Sequence, residues 1–219
     1  MIPSLFALPS DAQPRVLMLG AHCDDVEIGC AGTLQVLATR FPAMSIRWIV
    51  LSSPAQRASE TKNAAAQILP TGTDLQLEFR AFKESYFPYI GAEIKDCIEA
   101  IAKDFRPDVV FTHHTQDRHQ DHRLVAELTH NAFRDHVILE YEVVKYDGDL
   151  GSPNVFVPVS REQLETKVRG LMSAYESQRT KFWFTEDTFT SLMRLRGVES
   201  RSPTGFAEAF HCRKLRFFG

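Results

Sequence analysis

Arg15-Val16-Leu17-Met18-Leu19-Gly20-Ala21-His22-Cys23-Asp24-Asp25-Val26-Glu27 is the stretch whose reading decides the fold. As far as Ala21 it is a nearly continuous apolar run, the pattern of a strand covered on both faces in a parallel sheet. It then breaks into His22-Cys23-Asp24-Asp25, and helical spacing follows through Ile28, Leu34, Leu37 and Ala38 until Pro42 stops it. A strand handing a polar loop to a helix opens a βαβ unit, and open α/β sheets bind ligands beyond the carboxyl ends of their strands. The turn carries His-Cys-Asp-Asp in place of a glycine-rich phosphate loop, which argues against a nucleotide-dependent oxidoreductase.

Working outward, strand and helix patterns alternate. Ser45–Ser52 reads as a second strand, 54–69 as a helix closed by Pro70 and Gly72, and Leu75, Leu77 and Phe79 as a half-buried third strand. Ile94, Ile98, Ile101, Ala102 and Phe105 form one apolar stripe on a helix over 92–105. A strand over 108–112, a helix over 123–133 and a strand over 137–146 follow. This is the pattern of a parallel sheet with crossover helices. After Tyr146 the texture changes: a turn-rich segment over 147–154, a helix over 160–175, the aromatics Phe182, Trp183, Phe184 and Phe189, and a last strand from 205 or 206 to 218.

Composition sets the bounds. The 219 residues fit one domain, with 44% apolar and 24% charged residues as in a globular protein with a real core. A net charge of -3 without a basic stripe gives no electrostatic case for a nucleic-acid partner. No apolar run reaches the roughly 20 residues that span a bilayer. The N-terminal Met-Ile-Pro-Ser-Leu-Phe-Ala-Leu-Pro lacks a positive start and is broken by prolines, unlike a secretory signal. Cys23, Cys30, Cys97 and Cys212 are scattered, as in a cytoplasmic protein, and the last three read as small core residues.

A second chemical stretch answers the first: His113-His114-Thr115-Gln116-Asp117-Arg118-His119-Gln120-Asp121-His122 holds four of the eight histidines, directly after Val109-Val110-Phe111. If a helix begins after the first strand, His22 and Asp25, three apart, share one of its faces. With a third ligand from the second loop, two imidazoles and a carboxylate would hold one metal ion and leave a position for water. Asp24 then suits proton abstraction from that water, His119 suits oxyanion stabilisation or protonation of a leaving amine, and Asp121 suits orientation of an imidazole. Glu27 and Asp117 fit as supporting hydrogen-bond partners. The bland readings stand beside these: Asp in a first helical turn caps and faces the dipole. His130 and His136 read as surface residues, and His211 as structural.

These residues resemble the PIG-L/LmbE family of metal-dependent N-acetylglucosaminyl deacetylases. The family's Ala-His-Pro-Asp-Asp-x-Glu corresponds to Ala21–Glu27, and its His-x-Asp-His to His119-Gln120-Asp121-His122. The likeness continues through Arg57-Ala58-Ser59-Glu60, Tyr175-Glu176-Ser177-Gln178 and Ala207-Glu208-Ala209-Phe210. It implies a single domain over 1–219, an α/β fold: a Rossmann-like three-layer sandwich with a mostly parallel sheet and an elaborated C-terminal third. It implies Zn2+ (or another divalent cation such as Fe2+) on His22, Asp25 and His122, with Asp24 as general base. His119, partnered by Asp121, stabilises the tetrahedral intermediate, and Arg57 contacts substrate, with an ion pair to Glu60 as the alternative. The expected substrate is an N-acetylated amino sugar or its conjugate. Another metal-dependent hydrolase or a silent sugar-binding protein on the same fold are the competing readings. The aromatics near Phe182 and the 147–154 turn fit a sugar cleft, and the aromatics equally fit core or a homo-oligomer contact. Cys23 replaces the family's usual proline; as a soft thiol it could join the metal, whereas its place directly after one ligand argues that it points elsewhere.

Overall fold

The computed structural model describes residues 8–9 and 11–215. The N-terminal stretch weighed as a secretion signal and the end of the last predicted strand, residues 216–218, lie largely outside them. Seven strands form one sheet in the order β3-β2-β1-β4-β5-β7-β6: β1 (Arg15–His22), β2 (Ser45–Ser52), β3 (Asp74–Phe79), β4 (Val109–His113), β5 (Val137–Tyr141), β6 (Val155–Pro158) and β7 (Ala207–His211). The first five run parallel, and β7 and β6 close one edge antiparallel. The six helices are α1 (Asp25–Arg40), α2 (Ala55–Ile68), α3 (Gly91–Asp104), α4 (Gln120–Ala132), α5 (Arg161–Ala174) and α6 (Glu186–Glu199).

Strand alternation builds three layers. From β1, Val16 and Met18 enter one core with Leu34 of α1, Ile68 of α2, Leu171 of α5 and Met193 of α6. Leu17, Leu19 and Ala21 enter a second with Ile94, Ile98 and Ile101 of α3 and Val125 of α4. Both faces of β1 are therefore dry, which is why its sequence is apolar throughout.

The C-terminal third departs from the expected elements. The fifth strand ends at Tyr141 instead of continuing to 146, and β7 is limited to Ala207–His211. The sequence reading missed β6, only four residues long, and α6, whose buried positions include Arg196 and Gly197 as well as Phe189 and Met193. Arg196 is drawn inside by Glu142, so α6 does not show a clean apolar stripe. Among the described residues no helix is long and apolar enough to cross a membrane.

Candidate metal centre

The chain passes from β1 outward through β2 and β3, then returns to the other side of β1 as β4 and β5. The strand order thus reverses between β1 and β4, at whose carboxyl ends open α/β sheets form a crevice. His22 ends β1 and His113 ends β4, so both histidine-bearing loops emerge at this switch point. His119 caps the start of α4, and His122 lies in its first turn.

The structure brings His22, Asp25 and His122 together. His22 Nδ1 lies 3.2 Å from His122 Nε2 and 3.5 Å from Asp25 Oδ2, and His122 Nε2 lies 3.4 Å from Asp25 Oδ1. Their other ring nitrogens are committed: His22 Nε2–H donates to Asp121 at 2.9 Å and His122 Nδ1–H to Asp117 at 2.9 Å. These partners fix the tautomers, so two imidazole lone pairs face one another beside a carboxylate. Between neutral rings such an arrangement is repulsive until a cation, a proton or a metal ion, enters it. Burial by itself would lower the His22 pKa, yet bonds to Asp121 and Asp25 raise it to about 10. His122 is likewise raised despite its burial, chiefly by Asp25 and Asp117.

Two further histidines crowd the same place, and their hydrogen bonds separate them from the first pair. Ligand atoms of His22, His119 and His122, and of Asp25, His113 and His122, lie within 4.8 Å of one another. His113 Nε2 lies 3.3 Å from Asp25 but accepts the Ala21 N–H at 2.9 Å, which occupies its lone pair. Tyr141, whose hydroxyl donates to Leu19 O, lies 3.1 Å from the same nitrogen. The proton is left on His113 Nδ1, which is buried and has no partner among the described residues. His119 Nδ1 accepts the Asp121 N–H at 3.3 Å and caps α4, so its free Nε2 carries the proton. Burial and the neighbouring His122 and His22 lower the His119 pKa, keeping it a neutral donor. The Asp121 carboxylate meets His22, not the His119 named as its partner by the resemblance. Its oxygens also accept the backbone N–H groups of Ser85 at 2.6 Å and Phe87 at 3.1 Å. An α4 start directs Asp121 back across the loop toward β1, away from its neighbour His119.

Asp24 is the N-cap of α1 with φ 92°, a left-handed backbone that non-glycine residues rarely adopt. Arg57 holds it there: Nη2 lies 3.0 Å from the Asp24 carboxylate and also donates to Cys23 O. Burial pushes the Asp24 pKa up to about 7 against the pull of Arg57. Arg57 also approaches Glu60 at 3.6 Å, so the ion pair weighed as its alternative role coexists with the Asp24 clamp. Glu60 in turn accepts the Ser177 N–H at 2.9 Å and hydroxyl at 2.6 Å. Tyr175 donates to buried Glu27 and meets Thr61 at 2.8 Å. Burial pushes Glu27 up to about 8. The Arg57–Glu60 and Tyr175–Gln178 stretches therefore form one scaffold behind Asp24. The Cys23 thiol faces Ser52 O at 3.9 Å.

Other expectations are redistributed. Phe184 and Phe189 are core, while Phe182 is 88% exposed. His130 is no plain surface residue, because its Nε2 meets buried Glu140 at 2.6 Å. His211 stacks on His114 with centroids 3.8 Å apart. Cys97 and Cys212 are only partly buried. Sequence reasoning assigned no role to His113, although its place at the end of a buried strand was the available signal. It missed Lys145, for which no spacing speaks.

The sequence model of the PIG-L family, described as GlcNAc-PI de-N-acetylase, matches residues 17–133, more than half of the chain. The chain belongs to the PIG-L family. The match runs from β1 through α4 and so contains every histidine and carboxylate of the candidate centre just described. The chain is 29% identical over 183 residues to the uncharacterized deacetylase YaiS of Escherichia coli (strain K12), covering 75% of this chain and 94% of that protein. Among solved structures it is similar to the conserved protein TT1542 from Thermus thermophilus, with a TM-score of 0.73 and 19% identity over 94% of this chain and 98% of that one. It is also similar to N,N'-diacetylchitobiose deacetylase from Pyrococcus horikoshii, with a TM-score of 0.67 and 17% identity over 93% and 85%. At these identities the structures speak for a shared PIG-L deacetylase fold.

Proposed function

We propose that this chain is a divalent-metal-dependent N-deacetylase acting on an N-acetylated amino sugar or a conjugate of one. One observation carries the reading: the lone pairs of His22 Nδ1 and His122 Nε2 face each other at 3.2 Å beside Asp25. Two imidazoles and a carboxylate fit Zn2+, and the same donor set suits Fe2+. His22, Asp25 and His122 would hold the ion. When bound, it supplies Lewis acidity that brings the pKa of a coordinated water to about 7.

The chain's own residues supply the rest. Asp24, with a pKa near neutrality and a fixed orientation on Arg57, accepts a proton from the attacking water. As oxygen bonds to the acetyl carbon, His119 Nε2–H donates to the developing oxyanion. When the C–N bond breaks, the Asp24 proton passes to the leaving amine, giving acetate and a free amino group. Asp121 and Asp117 keep both ligand imidazoles aimed inward. Arg57 contributes by holding Asp24, which places it at the edge of any substrate. The sugar-type substrate is supported by family membership and by the chitobiose deacetylase among the structural neighbours. The four free cysteines support a reducing compartment, the cytoplasm.

The test is acetate release across a panel of N-acetylated amino sugars and conjugates by the Zn2+-loaded protein, with metal counted per chain. One metal ion and stoichiometric acetate are expected. Two ions per chain with phosphoester hydrolysis would favour a different hydrolase, and binding of acetylated sugars without turnover would favour a silent binding protein.

A further inference from the structure

Both ligand imidazoles of the centre are held from behind by carboxylates, but those carboxylates are anchored differently. Asp121 is satisfied by backbone N–H groups of Ser85 and Phe87. Asp117 accepts His122 Nδ1–H on Oδ2 at 2.9 Å, and on Oδ1 the His119 N–H at 2.7 Å and the Lys145 ammonium at 3.0 Å. Lys145 is withdrawn from water, its side chain 10% exposed, and it also grips Asp149 at 2.6 Å. Asp149 accepts the Arg118 N–H at 2.6 Å, so the line of contacts returns to the loop it started from.

We propose that Lys145 is a positioning residue of the metal centre. Its ammonium holds Asp117 so that Oδ2 addresses His122 Nδ1, and His122 Nε2 stays aimed at His22 and Asp25. The same grip fixes the His119 backbone through Asp117 Oδ1. The inference rests on reading His22, Asp25 and His122 as a metal site.

The competing account is a structural ion pair with no bearing on the metal. Two features weigh against it. Lys145 and Asp117 both lie in connecting segments, so their contact ties no strand or helix to another. A buried ion pair also adds little net stability over an apolar replacement, whereas it fixes direction closely. The turn-rich 147–154 segment, expected to fit a sugar cleft, instead packs through Asp149 against Arg118 of the loop that carries Asp117.

The experiment measures Zn2+ and Co2+ affinity by chelator competition, with the Co2+ absorption spectrum, for wild type, Lys145→Met, Lys145→Arg and the charge-compensated pair Lys145→Met with Asp149→Asn. Loss of a group that orients a metal ligand typically costs 10–100-fold in affinity. Lys145→Met is expected to weaken both ions by about that factor and to shift the Co2+ bands, with Lys145→Arg restoring most of the loss. The compensated pair keeps the test open if Lys145→Met does not fold; it should also bind weakly, because it too lacks the ammonium. Wild-type affinity and an unchanged spectrum in a folded Lys145→Met or in the pair would overturn the proposal and leave the metal reading intact. Failure of wild type to bind either ion would overturn both.

Discussion

At the scale of single residues, the centre is a problem of tautomers. Five imidazole or carboxylate groups crowd one place, and the hydrogen bond on each ring's other face decides which rings can present a lone pair. His22 and His122 give their N–H groups to Asp121 and Asp117 and present lone pairs inward. His113 and His119 receive backbone N–H groups and have none to present there. Asp24 is held on Arg57 and belongs to neither group of candidate metal-binding side chains. Asp24→Asn should therefore keep its metal, measured by inductively coupled plasma analysis, while kcat falls about 10²–10⁴-fold, the usual worth of general acid–base catalysis. Loss of the metal together with activity would instead make Asp24 a ligand.

At the scale of elements, α1 is gripped from outside. Here Gly32 and Thr33 donate to Glu208 of β7 at 2.8 and 2.6 Å, and Ile28 O accepts the Lys167 ammonium of α5 at 2.5 Å. Lys167 and Glu208 meet at 2.7 Å, each side chain 3% exposed. Gly32 makes the approach possible, since a Cβ there would stand 3.1 Å from the Glu208 carboxyl and 2.9 Å from Val159. This pair pins α1, and with it Asp25, to α5 and β7. Lys167→Met leaves the Glu208 carboxylate buried without its cation and should destabilise the fold by about 3–5 kcal/mol in urea titration. A loss below about 1 kcal/mol would mean the backbone donors suffice for Glu208.

At the scale of the whole molecule, a second titratable cluster joins the end of β4 to α4, β5 and β7. Glu140 binds His114 and His130, each at 2.6 Å, and His211 stacks on His114. Burial, then the neighbouring His114, lowers the His211 pKa to about 4. Although burial opposes it, Glu140 is held well below its ordinary value by the His114 and His130 bonds. Between pH 6.5 and 4 the unfolded chain protonates His211 and the native state does not, so stability falls as pH drops through that window. The Glu140 contribution is complete above its unfolded value of 4.5 and is lost below it, with the same sign. Thermal melting should therefore decline on acidification below pH 6.5, and His211→Asn should flatten the decline between 6.5 and 4. An equal slope in that variant would assign the acid sensitivity elsewhere.

Much of this was legible in the chain itself. A strand dry on both faces must be apolar throughout, so β1, β2 and β4 declare themselves, and the proline and glycine stops bound α1 and α2. The chemical groups are legible too, because polar clusters interrupting such strands have few structural uses. What sequence could not supply is direction. That Asp121 faces His22, that Arg57 clamps Asp24, and that Lys145 reaches Asp117 depend on which loops the strand order brings together at the β1–β4 reversal. β6 and α6 stayed hidden for a related reason: one is too short for a period, and the other buries Arg196 against Glu142, a partner 54 residues away. Local pattern reports what a residue must avoid, water or its absence, whereas its partner is chosen by packing over the entire chain.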